Sequence, residues 1–255
     1  MPRKNQRYGW TPDLPDHRDH MYAAPPRIVA ALPPKVDLRP KCPPVVDQGN
    51  LGSCTANSIG NAHRFEQMKQ GQADSFLPSR LFIYFNERVI EGTVNSDSGA
   101  MIRDGIKSIA AQGVCPEKMW PYNINQFTKK PSSACYKEAL KHQAISYQRL
   151  VQSPSQMKGC LASGYPFVYG FTVYESFESQ AVAKTGIVPM PASGEKTLGG
   201  HAVLAIGYDD TKQRFIVMNS WGTGWGIKGF FTIPYGYLAD SDLASDFWTI
   251  RLVEV

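Results

Sequence analysis

Cys54 opens a run with helical spacing in the stretch QGNLGSCTANS. A cysteine in that place is a core filler, half of a disulfide, a metal ligand or a nucleophile. At a helix start the backbone dipole favours thiolate over thiol, which suits the last of these. A thiolate nucleophile also needs a proton partner and a group that orients it. His201, in GGHAVLAIGYDD, enters a strand-like segment between glycines that leave room for another chain. Asn219, in VMNSWGTGWG, ends the next such segment, and its amide oxygen is able to accept the imidazole N–H without adding charge. Cysteine, histidine and asparagine in that order suit acyl transfer through a thiol.

These side chains have to be held by quite different elements. Apolar residues Ala56, Ile59, Ala62, Phe65 and Met68 recur at helical spacing, and Gly71 stops the run. PSRLFIYFNERVIEG and SGAMIRDGIKSIAAQG repeat the pattern and end in glycine, so residues 50–115 read as helical. After about residue 144, PFVYGFTVY, GHAVLAIGYDD, RFIVMNSW, GFFTIPY and FWTIRLVEV are rich in β-branched and aromatic residues between turns. One short helix, SPSQMKGCLASG, precedes them. A helical half followed by a strand-rich half predicts an α+β protein of two lobes with the site in the cleft between them. Over half of the 19 prolines fall before residue 46, which excludes helix there and favours an extended strap over the folded body.

Bulk properties exclude several other functions. Hydrophobic content of 42% with 19% charge fits an ordinary soluble chain able to bury a core. The formal charge of +5 comes without basic runs, so nucleic acid is not an expected partner. No apolar stretch is long enough to span a bilayer, and MPRKNQRYGW lacks the apolar segment of a secretory signal, which by default leaves the chain in the cytoplasm. Cys42, Cys54, Cys115, Cys135 and Cys160 are scattered, with no C-x-x-C pair and no adjacent histidine cluster, so neither a metal site nor a cofactor is expected. Cys115 and Cys135 bracket one loop, and a disulfide between them is one reading of that spacing.

Gln48-x5-Cys54, GSC, GHAVLAIGYD and NSWGTGWG, taken together and in this order, resemble the papain family of cysteine peptidases, in its bacterial branch. The resemblance runs from LPPKVDLRP to the last strand. It implies a papain-like two-lobe fold, with a helical left lobe (about 46–143) and a β-barrel-like right lobe (about 144–255 with 32–45). It makes Cys54 the nucleophile, His201 the proton partner and Asn219 the orienting residue, with Gln48 and the Cys54 N–H as oxyanion donors. Trp221 then covers the Asn219–His201 bond on the leaving-group side. Ser98 and Gly99 belong to the substrate-pairing edge, and Gly200 accepts a backbone N–H. Met101, Gly170, Gly199 and Ala202 line the main specificity pocket.

The chain departs from the family in three respects. Leu51 stands where a disulfide cysteine is usual and Thr55 where a tryptophan is. The long helical propeptide is also replaced by residues 1–31, ahead of a peptidase domain at 32–255.

Several expectations follow. The pocket residues carry no charge, so it should take an apolar side chain at the second residue before the cut. No histidine pair is inserted between Asn86 and Gly99 to grip a substrate carboxylate, which favours endopeptidase action on proteins or peptides. The strap carries Tyr8, Trp10, Leu14, Met21 and Tyr22, anchors that a solvated tail does not need. Extended chain covers about 3.3 Å per residue, enough for the strap to cross the domain, occupy the cleft of its own monomer and keep it latent. A transglutaminase-like acyltransferase, which normally places Asp third, and a catalytically silent binding module are the competing readings. Gly99 and Gly200 as simple turn residues, and Met101 as core, are the plain alternatives at those positions.

Overall fold

The computed structural model describes residues 8–73 and 75–254. Its elements, in order, are β1 (Met21–Tyr22), α1 (Pro26–Ala30), β2 (Lys35–Asp37), α2 (Cys54–Lys69), α3 (Arg80–Glu91), α4 (Ile102–Gln112) and α5 (Ser133–Ala139). There follow β3 (Ala144–Leu150), α6 (Pro154–Ala162), β4 (Phe167–Tyr174), α7 (Gln180–Thr185), β5 (Thr197–Asp209), β6 (Arg214–Met218), β7 (Phe230–Pro234), α8 (Tyr235–Ala239) and β8 (Ala244–Val253).

The helical lobe is built by punctuation that the sequence displays. Ser79 caps α3 by accepting the Phe82 N–H, and Gly92, at φ 70°, ends it in the left-handed conformation open to glycine. α2 is buried on almost every face because it packs against α3 and α4 on one side and against β5 and β8 on the other. It is the wall shared by both lobes, and its first residue opens at their junction.

The second lobe is an eight-stranded sheet in the order β1-β3-β8-β4-β5-β6-β7, with β2 added to the far end of β5. It is open and does not close into the barrel-like form expected. β5, at 13 residues, is long enough to pair with β4 through its first part and with β6 and β2 through its last. Its aromatic core includes Phe167, Tyr169, Phe171, Phe177, Phe215 and Phe231, all essentially buried.

The proline-rich start is more structured than its composition implies. α1 forms in a segment where helix was excluded, because a proline at the first helical turn lacks only a hydrogen bond that would go unmade anyway. Tyr22 and Ala24 are buried, β1 pairs in parallel with β3, and the Ala24 N–H donates to Gln156 Oε1 at 2.7 Å. The strap is thus stitched to the edge of the sheet at its C-terminal half.

Candidate active site

Cys54 is the first residue of α2 and is fully buried. Ser58, one turn on, donates its Oγ–H to both the Cys54 carbonyl and the Ala202 carbonyl at 2.8 Å, tying the helix start to β5. Ala202 in turn presents its N–H to the Cys54 sulfur. The neighbouring residue on β5 is His201, whose Nε2 lies 2.9 Å from Asn219 Oδ1. That oxygen also accepts the Ser220 N–H at 2.8 Å, which fixes the amide with its oxygen toward the ring. The ring of Trp221 lies over the imidazole, 4.9 Å between centroids and tilted by 35°. Phe171 and Phe177 complete an aromatic surround that keeps the His201–Asn219 bond out of water.

Gln48 is fully buried and held at both ends. Its Oε1 accepts the Ser220 hydroxyl at 2.7 Å and its Nε2 donates one hydrogen to the Leu51 carbonyl at 2.9 Å. The loop between Gln48 and Cys54 is clamped from two further sides. The Gly52 N–H donates to Asp97, which also accepts the Tyr84 hydroxyl at 2.6 Å, and Tyr84 accepts the Gly99 N–H at 3.1 Å. On the other side Tyr122 donates to the Gln48 carbonyl at 2.9 Å and lies 2.5 Å from Ser53 Oγ. Arg80, paired with Glu117 at 2.8 Å, stacks on the Tyr122 ring and donates to the Asp47 carbonyl.

The cleft is occupied by the chain's own strap. The Gly9 carbonyl accepts the Ala100 N–H at 2.7 Å, and the Thr11 N–H donates to the Ala100 carbonyl at 3.1 Å, so this wall pairs in parallel with the strap. The Trp10 N–H donates to the Gly200 carbonyl at 3.1 Å on the opposite wall. The Gly9 N–H points at the Cys54 sulfur. Glycines are obligatory along this path: a Cβ on Gly99 would sit 2.2 Å from the Gly9 carbonyl oxygen, and one on Gly9 1.6 Å from that of Gly52. A Cβ on Gly170 would lie 2.0 Å from the Trp10 ring, and Gly199 and Gly200 carry Tyr8 and Trp10 in the same way. Tyr8 stacks near His201 and Trp221 and gives its hydroxyl to Glu178.

Four of the eight substrate-site candidates, Gly99, Gly170, Gly199 and Gly200, therefore touch peptide already in the cleft, and Trp221 lies beside it. Ala202 lies under the pocket wall opposite Gly170. Ser98 instead turns its hydroxyl to Thr93, at 2.9 Å. Met101 heads α4 with its N–H on Glu91 Oε1 at 2.7 Å. Sequence reasoning missed Asp246, which receives the Trp10 indole N–H at 3.1 Å. The signal that hides it is local: Asp246 sits at φ 59° in β8, where register with β4 slips, so strand periodicity assigns it to the wrong face.

Two expectations need correction. All five cysteines are free thiols; Cys115 and Cys135 are buried in hydrogen-bond contact with each other and are not bonded covalently. The Cys54 thiol is not held low by its helix start. Burial pushes it up to about 11, and the N–H groups of Ala202, Gly9 and Thr55 only partly offset that cost. With water excluded by the strap, desolvation outweighs the dipole.

Comparison with known proteins gives the same answer as the geometry. Residues 32–248 match the sequence profile described as papain family cysteine protease. The chain is 43% identical over 273 aligned positions to a peptidase C1-like protein of Acanthamoeba polyphaga mimivirus, covering 98% of this chain and 88% of the relative. The crystal structure of xylellain, a cysteine protease from Xylella fastidiosa, superposes with a TM-score of 0.91 at 46% identity, covering 98% of both chains. At 17% identity, procathepsin B S9 from Trypanosoma congolense shares the fold, with a TM-score of 0.78 over 98% of this chain and 87% of that one. On a profile that spans most of the chain and relatives that span nearly all of it, this protein belongs to the papain family of cysteine proteases and is a hydrolase.

Proposed function

We propose that the chain is a cysteine endopeptidase whose N-terminal segment, residues 1–31, keeps it latent until displaced from the cleft of the peptidase unit, 32–255. The observation that carries this reading is the occupied cleft. A site that pairs an extended backbone on both walls, through Ala100 and Gly200, is built to hold peptide.

In the open enzyme, Cys54 transfers its proton to His201 and attacks the scissile carbonyl carbon. Asn219, holding Nε2, directs Nδ1 toward sulfur. The second hydrogen of Gln48 Nε2 and the Cys54 N–H receive the oxyanion of the tetrahedral intermediate. Collapse expels the amine with the proton from His201 and leaves a thioester; water, deprotonated by His201, then releases the acid. The pocket under Gly170 and Gly200 accepts a large, mainly apolar side chain from the second residue before the cut. Ser98, Gly99 and Met101 form the edge that the substrate follows.

The strap escapes cleavage by its direction. Tyr8 lies on the Trp221 side and Trp10, later in the chain, fills the pocket, the reverse of a substrate whose pocket residue precedes the cut. Gly9 offers sulfur an N–H, and its carbonyl is committed to Ala100, away from the oxyanion donors. Tethering supplies an effective concentration in the millimolar range, so modest contacts suffice, and a monomer inhibits itself.

The test is hydrolysis of a fluorogenic peptide by the full chain and by the full chain with Tyr8→Ala and Trp10→Ala. Cutting the chain back to Leu32 is the poorer test, because it strips buried Tyr22 and Ala24 from the sheet. The double variant is expected to raise kcat/KM at least about tenfold, and Cys54→Ala to abolish activity in both. Equal kcat/KM for the two chains would remove the strap as inhibitor and leave the peptidase assignment standing.

A further inference from the structure

The peptide unit between Leu51 and Gly52 is gripped at both ends. Its carbonyl accepts the Gln48 Nε2–H at 2.9 Å. Its N–H donates to the Asp97 carboxylate, 3.0 Å from Oδ1 and 3.2 Å from Oδ2. Gly52 supplies the room for this approach, since a Cβ there would sit 2.9 Å from Asp97 Oδ1. A glycine also leaves the peptide plane free to turn over, because no Cβ holds it to one orientation. Turned over, the plane would set its N–H against Gln48 Nε2, donor against donor, and its carbonyl against a carboxylate. Asp97 thus disfavours the orientation in which Gln48 loses its acceptor.

α3 holds that carboxylate in place. Tyr84 and Arg88, one turn apart and both fully buried, reach the loop between α3 and α4. Arg88 donates to the Val94 and Ser96 carbonyls at 2.8 and 3.1 Å, fixing the path of the chain into Asp97. Tyr84 donates its hydroxyl to Asp97 Oδ1 at 2.6 Å. Burial, and then the bond to Asp97, raises that hydroxyl well above its usual value, so it keeps its proton and accepts the Gly99 N–H at 3.1 Å. One line of hydrogen bonds therefore runs from the Gly99 N–H through Tyr84 and Asp97 to the Gly52 N–H, and across the peptide to Gln48. A carboxylate at the N–H end polarises the peptide and makes its carbonyl the stronger acceptor, because bonds in series reinforce one another. Tyr122 and Arg80 brace a different part of the loop, at the Gln48 and Asp47 carbonyls.

Resting on the oxyanion role given to Gln48 above, we infer that Asp97 is a positioning residue of the oxyanion hole. It acts through the Leu51–Gly52 peptide to aim Gln48 Nε2, and with Tyr84 it ties that aim to the substrate edge at Gly99.

The test is a double-mutant cycle in the full chain opened by Tyr8→Ala and Trp10→Ala, with a fluorogenic peptide as substrate. Asp97→Ala is expected to lower kcat about tenfold with KM within about threefold. Added to Gln48→Ala, the same change is expected to cost less than about twofold, because nothing is left to aim. Asp97→Asn, which keeps the shape and loses the charge, is carried through the same cycle in case the alanine variant does not fold, and the same non-additivity is expected of it. An equal loss from the Asp97 variant in both backgrounds is what a merely structural role predicts, and it overturns the inference. If Gln48→Ala leaves kcat unchanged, the oxyanion assignment falls and the inference falls with it.

A second readout involves no turnover. In the latent full chain carrying Cys54→Ala, exchange of the Gln48 side-chain amide hydrogens followed by NMR is expected to quicken at least about fivefold in Asp97→Asn. Unchanged exchange overturns the link between Asp97 and Gln48. If no chain cuts peptide while exchange quickens, the peptidase reading falls and the grip of Asp97 on Gln48 stands.

Discussion

Gln48 braces both the oxyanion loop, through the Leu51 carbonyl, and the asparagine that orients the histidine, indirectly through Ser220, whose hydroxyl donates to Gln48 Oε1 and whose N–H donates to Asn219 Oδ1. Its replacement by alanine removes one oxyanion donor and that brace together. We expect kcat to fall roughly 10²–10³-fold, with KM within about threefold, as measured with a peptide on the strap-opened chain. A large rise in KM at constant kcat would place Gln48 in ground-state binding instead. Cys54, His201 and Asn219 were candidates by their types taken together and in order, and Gln48 only by its place in the resembled motif; the structure sets the four around the start of α2. Asp246 did not stand out, since an aspartate near the start of a strand reads as a solvent-facing residue until the bulge is seen.

At the scale of elements, the strap and α3 each bury a carboxyl with a definite pH consequence. Asp13 accepts the Arg103 N–H and the Trp248 indole N–H, yet burial and the facing Asp246 carboxylate push it up to about 6 from an ordinary 3.8. A group with a raised value contributes to docking fully below its free value, and the contribution is lost as pH climbs through the raised one. Asp16, held low by Arg18 and Lys107, acts in the opposite sense but below pH about 4. The docked strap is therefore expected to loosen between pH 4 and 7. The ratio of Cys54 alkylation rates, wild type over Asp13→Asn, should rise across that range; a flat ratio would exclude Asp13 as the sensor. In α3, Glu87 is fully buried with Thr55 donating to it at 2.9 Å, and burial holds its carboxyl well above the usual range. Fold stability from Glu87 is thus present at low pH and lost as pH rises. The Tm of wild type relative to Glu87→Gln should fall on going from pH 5 to pH 8, about 2–4 °C for each kcal/mol. A constant difference would mean that Glu87 does not titrate. α2, α3 and α4 were readable from apolar spacing and terminal glycines. α1 was not, because a proline count takes no account of where in a helix the proline stands.

Across the whole molecule, the strap bridges both lobes: the Trp10 N–H reaches the sheet lobe while Gly9 and Thr11 pair with the helical lobe. The two-lobe α+β architecture followed from the change in hydrophobic period near residue 144, a property of long stretches that single substitutions do not blur. Closure of the sheet was not readable, since an open and a closed sheet share the same alternation and differ only in whether the outermost strands meet. β1, the outermost strand, comes from the strap itself and pairs with β3.

That pairing has a consequence for how the protease behaves when it is diluted. An inhibitor that binds from solution comes off as the volume around it grows, so its target wakes on release into a large compartment. Here the plug is moored at Tyr22 and Ala24, and its tip is never more than a short length of chain from the cleft. The fraction of open molecules is then a first-order property of each chain, the same in a crowded cell and in a litre of buffer. Specific activity measured from about 1 nM to about 1 μM is expected to stay constant, and a rise on dilution would show that clefts are being plugged by neighbours. Waking such an enzyme takes a change of chemistry, by a rise in pH, a competing ligand or a cut in the mooring, and never mere distance.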